Sequence, residues 1–148
     1  MIVSGAIAEI VAERWIERTL ESYPAQTLPL LRGEEDPFRN PAGHAIKESL
    51  TTLARELLGE MDKKAIATAL DAMVRLRAVQ DFRPSDALRF IFDLREIVAE
   101  VTGEVPQALE SRIDGLALMA FDQYMACRDQ IAGLREKELR FRTQNAAR

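Results

Sequence analysis

Residues 84–103 read PSDALRFIFDLREIVAEVTG, and the spacing of their apolar side chains decides the fold class. The apolar positions recur every three or four residues, which is the period of an α-helix with one buried face. The stretch opens on proline and closes on glycine, as helices commonly begin and end. A helix of this kind must bury its apolar face against other elements. That face carries Ala87, Phe90, Ile91, Leu94, Val98 and Val101.

The same period recurs in three further stretches and predicts helices over about residues 4–22, 40–59 and 62–79. No part of the sequence shows the sustained alternation of apolar and polar residues that strands require. Four of the six prolines fall within residues 24–41, and this predicts a proline-rich loop there. We therefore expect one all-α domain over residues 1–148, built as a compact bundle of about five helices.

The fifth predicted helix, residues 106–142, is too long for a small domain. At 1.5 Å per residue it would measure roughly 55 Å, whereas a small domain is about 30 Å across. Two interpretations of its last part stay open: a solvated end that frays, or a helix that forms a dimer or carries a signal. A weak heptad seam with spacings of four and three favours the second; it consists of Cys127, Ile131, Leu134, Glu138 and Phe141. We predict a homodimer with Ile131, Leu134 and Phe141 at its interface.

The composition is that of one ordinary soluble domain, with 148 residues of which 47% are apolar and 30% charged. Twenty basic and twenty-four acidic residues give a net charge of −4, which disfavours a general nucleic-acid binder. The single cysteine fits a reducing compartment. We see no basic leader at the N-terminus and no apolar run near the roughly 20 residues of a membrane span. A cytoplasmic protein that binds neither membrane nor nucleic acid is expected.

Residues for catalysis or metal binding are scarce. The chain has one histidine, His44, and one cysteine, Cys127, far apart in sequence. Nucleophilic catalysis and zinc binding usually need several such residues close together, and no glycine-rich phosphate loop is present. His44 also lies too early to match the proximal histidine of a globin, which follows the middle of the chain. We expect no enzyme, no metal and no cofactor, haem included.

Two segments are unusually specific in residue choice: DPFRNPAGH at residues 36–44 and RLRAVQDFRPS at residues 75–85. In an architectural interpretation, Arg77 pairs with Asp81 at i,i+4 spacing and Phe82 fills the core. In a functional interpretation, the two segments pack together and line a ligand pocket. Its candidate residues, structural or ligand-binding, are Asn40, His44, Arg77, Gln80, Asp81 and Phe82. The residues alone leave both interpretations open.

The two segments resemble the N-terminal domain of the RsbRD-type co-antagonists of RsbT. The matching patterns are Asp-Pro-Phe-x-Asn-Pro-x-Gly-His at residues 36–44 and Arg-Ala-Val-Gln-Asp-Phe-x-Pro-Ser at residues 77–85. The resemblance implies a sensory or regulatory module with a globin-like fold that holds no haem. Such domains usually precede a STAS output domain in stress-signalling assemblies, whereas this sequence is expected to be a stand-alone copy without one. The family supplies no catalytic residues.

One position departs from the family pattern. Arg83 stands where Ser or Thr is expected to cap the fourth predicted helix. Asp86 is expected to favour that end of the helix through the helix dipole.

These observations together predict a non-catalytic sensory or adaptor domain of bacterial stress or regulatory signalling. It would act as a homodimer through protein–protein contacts, with a signalling protein as a possible partner. The alternative is a small-molecule-binding or redox-associated accessory protein of a metabolic operon, with its ligand in the helical core.

Overall fold

A computed structural model describes residues 2–33, 35–80 and 82–146, and within these residues all regular structure is helical. The chain is all-α, as the apolar spacing predicted. The six helices are α1 (Gly5–Leu20), α2 (Leu28–Gly33), α3 (Pro41–Leu57), α4 (Lys63–Val79), α5 (Pro84–Thr102) and α6 (Gln107–Ala146).

The helix ends follow the local sequence. Asp62 caps α4, because its side chain accepts hydrogen bonds from the amides of Lys64 and Ala65. Gly103 ends α5 with a φ of 89°, a left-handed conformation that glycine adopts without steric cost. Arg83 precedes α5 and makes no side-chain capping bond, while Asp86 lies in the first turn, as expected from the sequence.

The predicted proline-rich loop over residues 24–41 is corrected in part, because it contains the six-residue helix α2. Pro29 is compatible with this helix since it occupies the second position, where the backbone amide has no intrahelical partner. Leu31 is buried and anchors the turn to the core. The segment thus contains a short helix, packed on the core through one buried leucine, that its prolines did not suggest.

Helices α3 and α4 pack together at the centre of the core, and α1, α5 and α6 pack around them. A connection of five residues, 58–62, joins α3 to α4, so the two helices form an antiparallel hairpin. Helix α1 packs on α3 and α5, and α6 packs on α4 and α5. Trp15 is fully buried between α1 and α5 and donates a hydrogen bond from Nε1 to the carbonyl of Phe90, at 2.6 Å.

Helix α6 confirms the predicted long C-terminal helix. Its 40 residues span about 60 Å at 1.5 Å per residue. Two arginines fasten α6 to the bundle: Arg112 Nη1 donates to the carbonyl of Leu57 at 2.7 Å, and Arg128 Nη1 donates to that of Ala78 at 3.0 Å. The last buried side chain of α6 is Cys127, and residues 134–146 are all exposed. Among the described helices none is long and apolar enough to cross a membrane.

Candidate functional site

Asn40 is a buried structural residue at the start of α3. Its Oδ1 accepts a hydrogen bond from the amide of Gly43 at 3.0 Å, and its Nδ2 donates one to the carbonyl of Leu31 at 3.1 Å. A Cβ placed on Gly43 would lie 2.6 Å from Oδ1, far inside van der Waals contact. The Asn-Pro-x-Gly pattern therefore caps α3 and ties α2 to it.

His44 lies on the surface of α3, with its side chain 51% exposed. Its Nε2 is 3.0 Å from Oε2 of Glu48, one turn further along the same helix. It borders a shallow groove between α3 and α4 together with Asp62 and Lys64. None of Arg77, Gln80 and Phe82 lines this groove.

Arg77, in the second segment, is buried and only 1% exposed. Its guanidinium carbon lies 4.5 Å from the ring centre of Phe82, 5.1 Å from that of Tyr23 and 5.8 Å from that of Phe90. Rings at these distances attract a cation through their electron-rich faces. Its Nη1 donates to Oγ of Ser22 at 3.2 Å.

Tyr23 connects Arg77 to the other residues of this segment. The hydroxyl of Tyr23 donates to Oε1 of Gln80 at 2.6 Å, and its ring meets Phe82 edge-on with centres 5.6 Å apart. The carbonyl of Phe82 in turn accepts a hydrogen bond from the hydroxyl of Tyr124 at 3.0 Å. Three predicted residues, Arg77, Gln80 and Phe82, are thus brought together, while Asp81 lies outside the described residues.

A cavity of about 290 Å³ opens beside Arg77, between α1, α4 and α5. The polar and aromatic side chains that line it are Thr19, Ser22, Arg77, Phe82, Asp86, Arg89, Phe90 and Asp93. Neither Asn40 nor His44 is among them. Asn40 uses its side chain to cap α3, and His44 borders the groove between α3 and α4.

The polar groups of the cavity are incompletely satisfied. Arg77 Nε and Thr19 Oγ1 are sealed from solvent and have no hydrogen-bond partner among the described residues. Burial lowers the pKa of Arg77, with the neighbouring Tyr23 and Asp93 acting in the opposite direction. Partial burial likewise raises the pKa of Asp93 above its ordinary value. Each shift reflects the cost of holding a charge away from water.

Sequence reasoning missed the contributions of α1 and of the middle of α5. Ser22 and Tyr23 directly precede Pro24, and this position at a helix end was their only signal. Thr19 and Asp93 lie within amphipathic helices, where a polar residue near the apolar face carries no sign of its neighbours across the bundle. No group of three or more His, Cys, Asp or Glu side chains that could hold a metal ion occurs in the described part of the chain.

The predicted interface residues on α6 follow its buried face beyond the core. Ile131 is partly buried, whereas Leu134 is 67% and Phe141 64% exposed. The buried positions of the helix are spaced by three and four residues, and the same spacing leads on to these three. The buried positions of α6 are Leu109, Ile113, Leu116, Ala120, Tyr124 and Cys127.

Comparison with known proteins gives two matches. The family model described as the RsbT co-antagonist protein rsbRD N-terminal domain matches residues 9–139, which confirms the resemblance expected from the two segments. An uncharacterized protein of Archaeoglobus fulgidus is 30% identical over 132 residues, covering 86% of this chain and 82% of the relative. No solved structure matches the chain.

Proposed function

Since the chain belongs to the family of RsbT co-antagonist rsbRD N-terminal domains, we propose that it is a non-catalytic sensory or adaptor domain that acts through protein–protein contacts. The family associates the chain with stress signalling. The contacts are assigned to a homodimer in which the outer part of α6 pairs with that of a second copy.

The observation that carries this proposal is the continuation of the buried face of α6 past the end of the core. Ile131, Leu134 and Phe141, here named the distal seam, continue that face along the helix. Two large apolar side chains on one stripe of a protruding helix are costly to leave in water. A second copy offers the same stripe, so that a two-fold arrangement buries both at once.

Ion pairs around the distal seam stabilise this part of α6 as a helix in the absence of a partner. Arg140 lies 2.5 Å from Glu136, and Arg142 lies 2.6 Å from Glu138, both at i,i+4 spacing. Such pairs each stabilise an exposed helix by about 0.2–0.5 kcal/mol. They also neutralise charges beside Leu134 and Phe141, which lowers the repulsion between two approaching copies.

Light scattering at micromolar concentration tests the dimer. The wild-type protein should show about twice its mass of 16.7 kDa, and the double variant Leu134→Glu with Phe141→Glu should be monomeric. Leu139→Glu is a matched control because Leu139 is 63% exposed on the same segment but lies about 140° around the helix from Leu134. A monomeric wild type, or equal dissociation of the control, would contradict the dimer.

The adaptor role has a separate test. Wild type, the double variant and the control serve as baits for proteins of the source cell, and circular dichroism checks that each bait is folded. A signalling protein retained by wild type and by Leu139→Glu, but lost from the double variant, supports contacts made through the distal seam. Equal retention by all three baits would place the contact elsewhere.

A further inference from the structure

Arg77 carries a buried positive charge that is poorly matched by the protein. A guanidinium has five N–H donors, and the described part of the chain gives Arg77 one hydrogen bond, to Ser22, and no carboxylate within 4.0 Å. Buried charges are normally paired and hydrogen-bonded because desolvation is costly. The three aromatic rings attract the charge but accept none of the remaining in-plane N–H groups.

Asp93 is the matching anion on the same cavity. Of the four charged residues in its lining, Arg89 and Asp86 lie 3.8 Å apart and pair with each other. Asp93 forms no ion pair within 4.0 Å among the described residues, and Arg18 nearby is taken up by Glu96 and Glu100. The cavity thus presents one cation and one anion without a partner at short range.

We propose that this cavity binds a small zwitterion of the α-amino-acid type, with its carboxylate at Arg77 and its ammonium group at Asp93. A guanidinium and a carboxylate form strong charge-assisted hydrogen bonds, and the unpartnered hydroxyl of Thr19 lines the same cavity. The volume of about 290 Å³ lies at the lower end of ligand pockets, which limits the ligand to a small molecule. Phe82 and Phe90 supply an apolar wall for its side chain.

The charge pattern of the cavity favours a zwitterion over a ligand that carries only a carboxylate or only an ammonium group. A plain carboxylate would bring a second negative charge toward Asp93, and a plain amine would bring a positive charge toward Arg77. Only a ligand with both charges is attracted at both ends. The site is independent of the distal seam, since it lies on α1, α4 and α5, and the two proposals fail separately.

Thermal denaturation and calorimetric titration with each of the twenty standard amino acids, and with acetate and methylamine as single-charge probes, test the proposal. At a hundredfold excess over its Kd, at least one amino acid should raise Tm by roughly 5–10 °C. Acetate and methylamine at the same concentration should leave Tm unchanged. An equal shift with acetate, or no shift with any amino acid, would overturn the proposal.

Asp93→Asn is the decisive variant, because Asp93 is partly exposed and its replacement leaves the core intact. It should raise the Kd for the amino acid that binds wild type at least tenfold. Asp122→Asn makes the same chemical change on an exposed position of α6 outside the cavity and should bind as wild type does. Unchanged binding by Asp93→Asn would refute the assigned site, whereas the seam variant Leu134→Glu with Phe141→Glu should still bind.

Discussion

The segments at residues 36–44 and 77–85 are equally distinctive in sequence, yet they differ in how completely their polar groups are satisfied. Asn40 uses both ends of its amide within the fold, at Gly43 and at Leu31. Arg77 makes one hydrogen bond and leaves a sealed donor unmatched. Distinctive residues alone do not separate a cap from a binding site. The unmet hydrogen bonds of a buried side chain do, because a protein gains nothing in stability by retaining them.

The largest expected effect comes from Asn40→Ala. The change removes the cap of α3 and leaves the carbonyl of Leu31 without its hydrogen bond, which should lower the free energy of unfolding by about 2 kcal/mol. Urea denaturation measures the loss, with Asn145→Ala on the exposed end of α6 as the matched control. A loss below about 0.5 kcal/mol would show that the first segment is not architectural.

Gly43→Ala tests whether Asn40 is the reason for the glycine. The added methyl group would collide with the Asn40 side chain and should cost about 1 kcal/mol in the wild-type background. In the Asn40→Ala background the same change should instead stabilise α3 by up to about 1 kcal/mol, since alanine is the better helix former. Equal effects in both backgrounds would break the link between the two residues.

Arg77→Met should change stability by less than about 1 kcal/mol. Methionine keeps much of the volume and removes a desolvated charge, and replacing buried charge by apolar groups is often neutral. The same variant should lose all binding of the active amino acid. A loss of 3 kcal/mol or more would make Arg77 an architectural residue like Asn40 and would erase the contrast between the segments.

The smallest effect concerns pH. Burial raises the folded-state pKa of Asp93, so its ionisation costs stability as pH rises from its ordinary value of 3.8 through the raised pKa, and the full cost is present at neutral pH. Asp93→Asn should therefore be more stable than wild type at pH 7, by less than about 0.5 kcal/mol because solvent screens this partly exposed group, and the advantage should vanish near pH 3. Urea denaturation between pH 3 and 7 measures the difference in unfolding free energy between the variant and wild type. An advantage of the variant that grows toward low pH would contradict a raised pKa of Asp93.

The fold was largely predictable because the signals that mark a helix lie within its own stretch of sequence. Apolar spacing, Pro41, Pro84 and Gly103 mark boundaries that the structure places within a few residues. Helix α2 was missed because six residues are too few to show a period. The neighbours of Arg77 were missed for another reason: Ser22 and Asp93 line the same cavity only because helices distant in the chain pack together. The homodimer, the cytoplasmic location and the likeness to a globin stay predictions.

Helix α6 also acts as a lever. It is one uninterrupted rod that contacts the bundle as far as Ile131, and Ala146 lies about 22 Å past that residue. A tilt of ten degrees about Ile131 would move the tip sideways by about 4 Å. A tilt too small to disturb the core is thus a displacement of several ångströms at the exposed end of the helix.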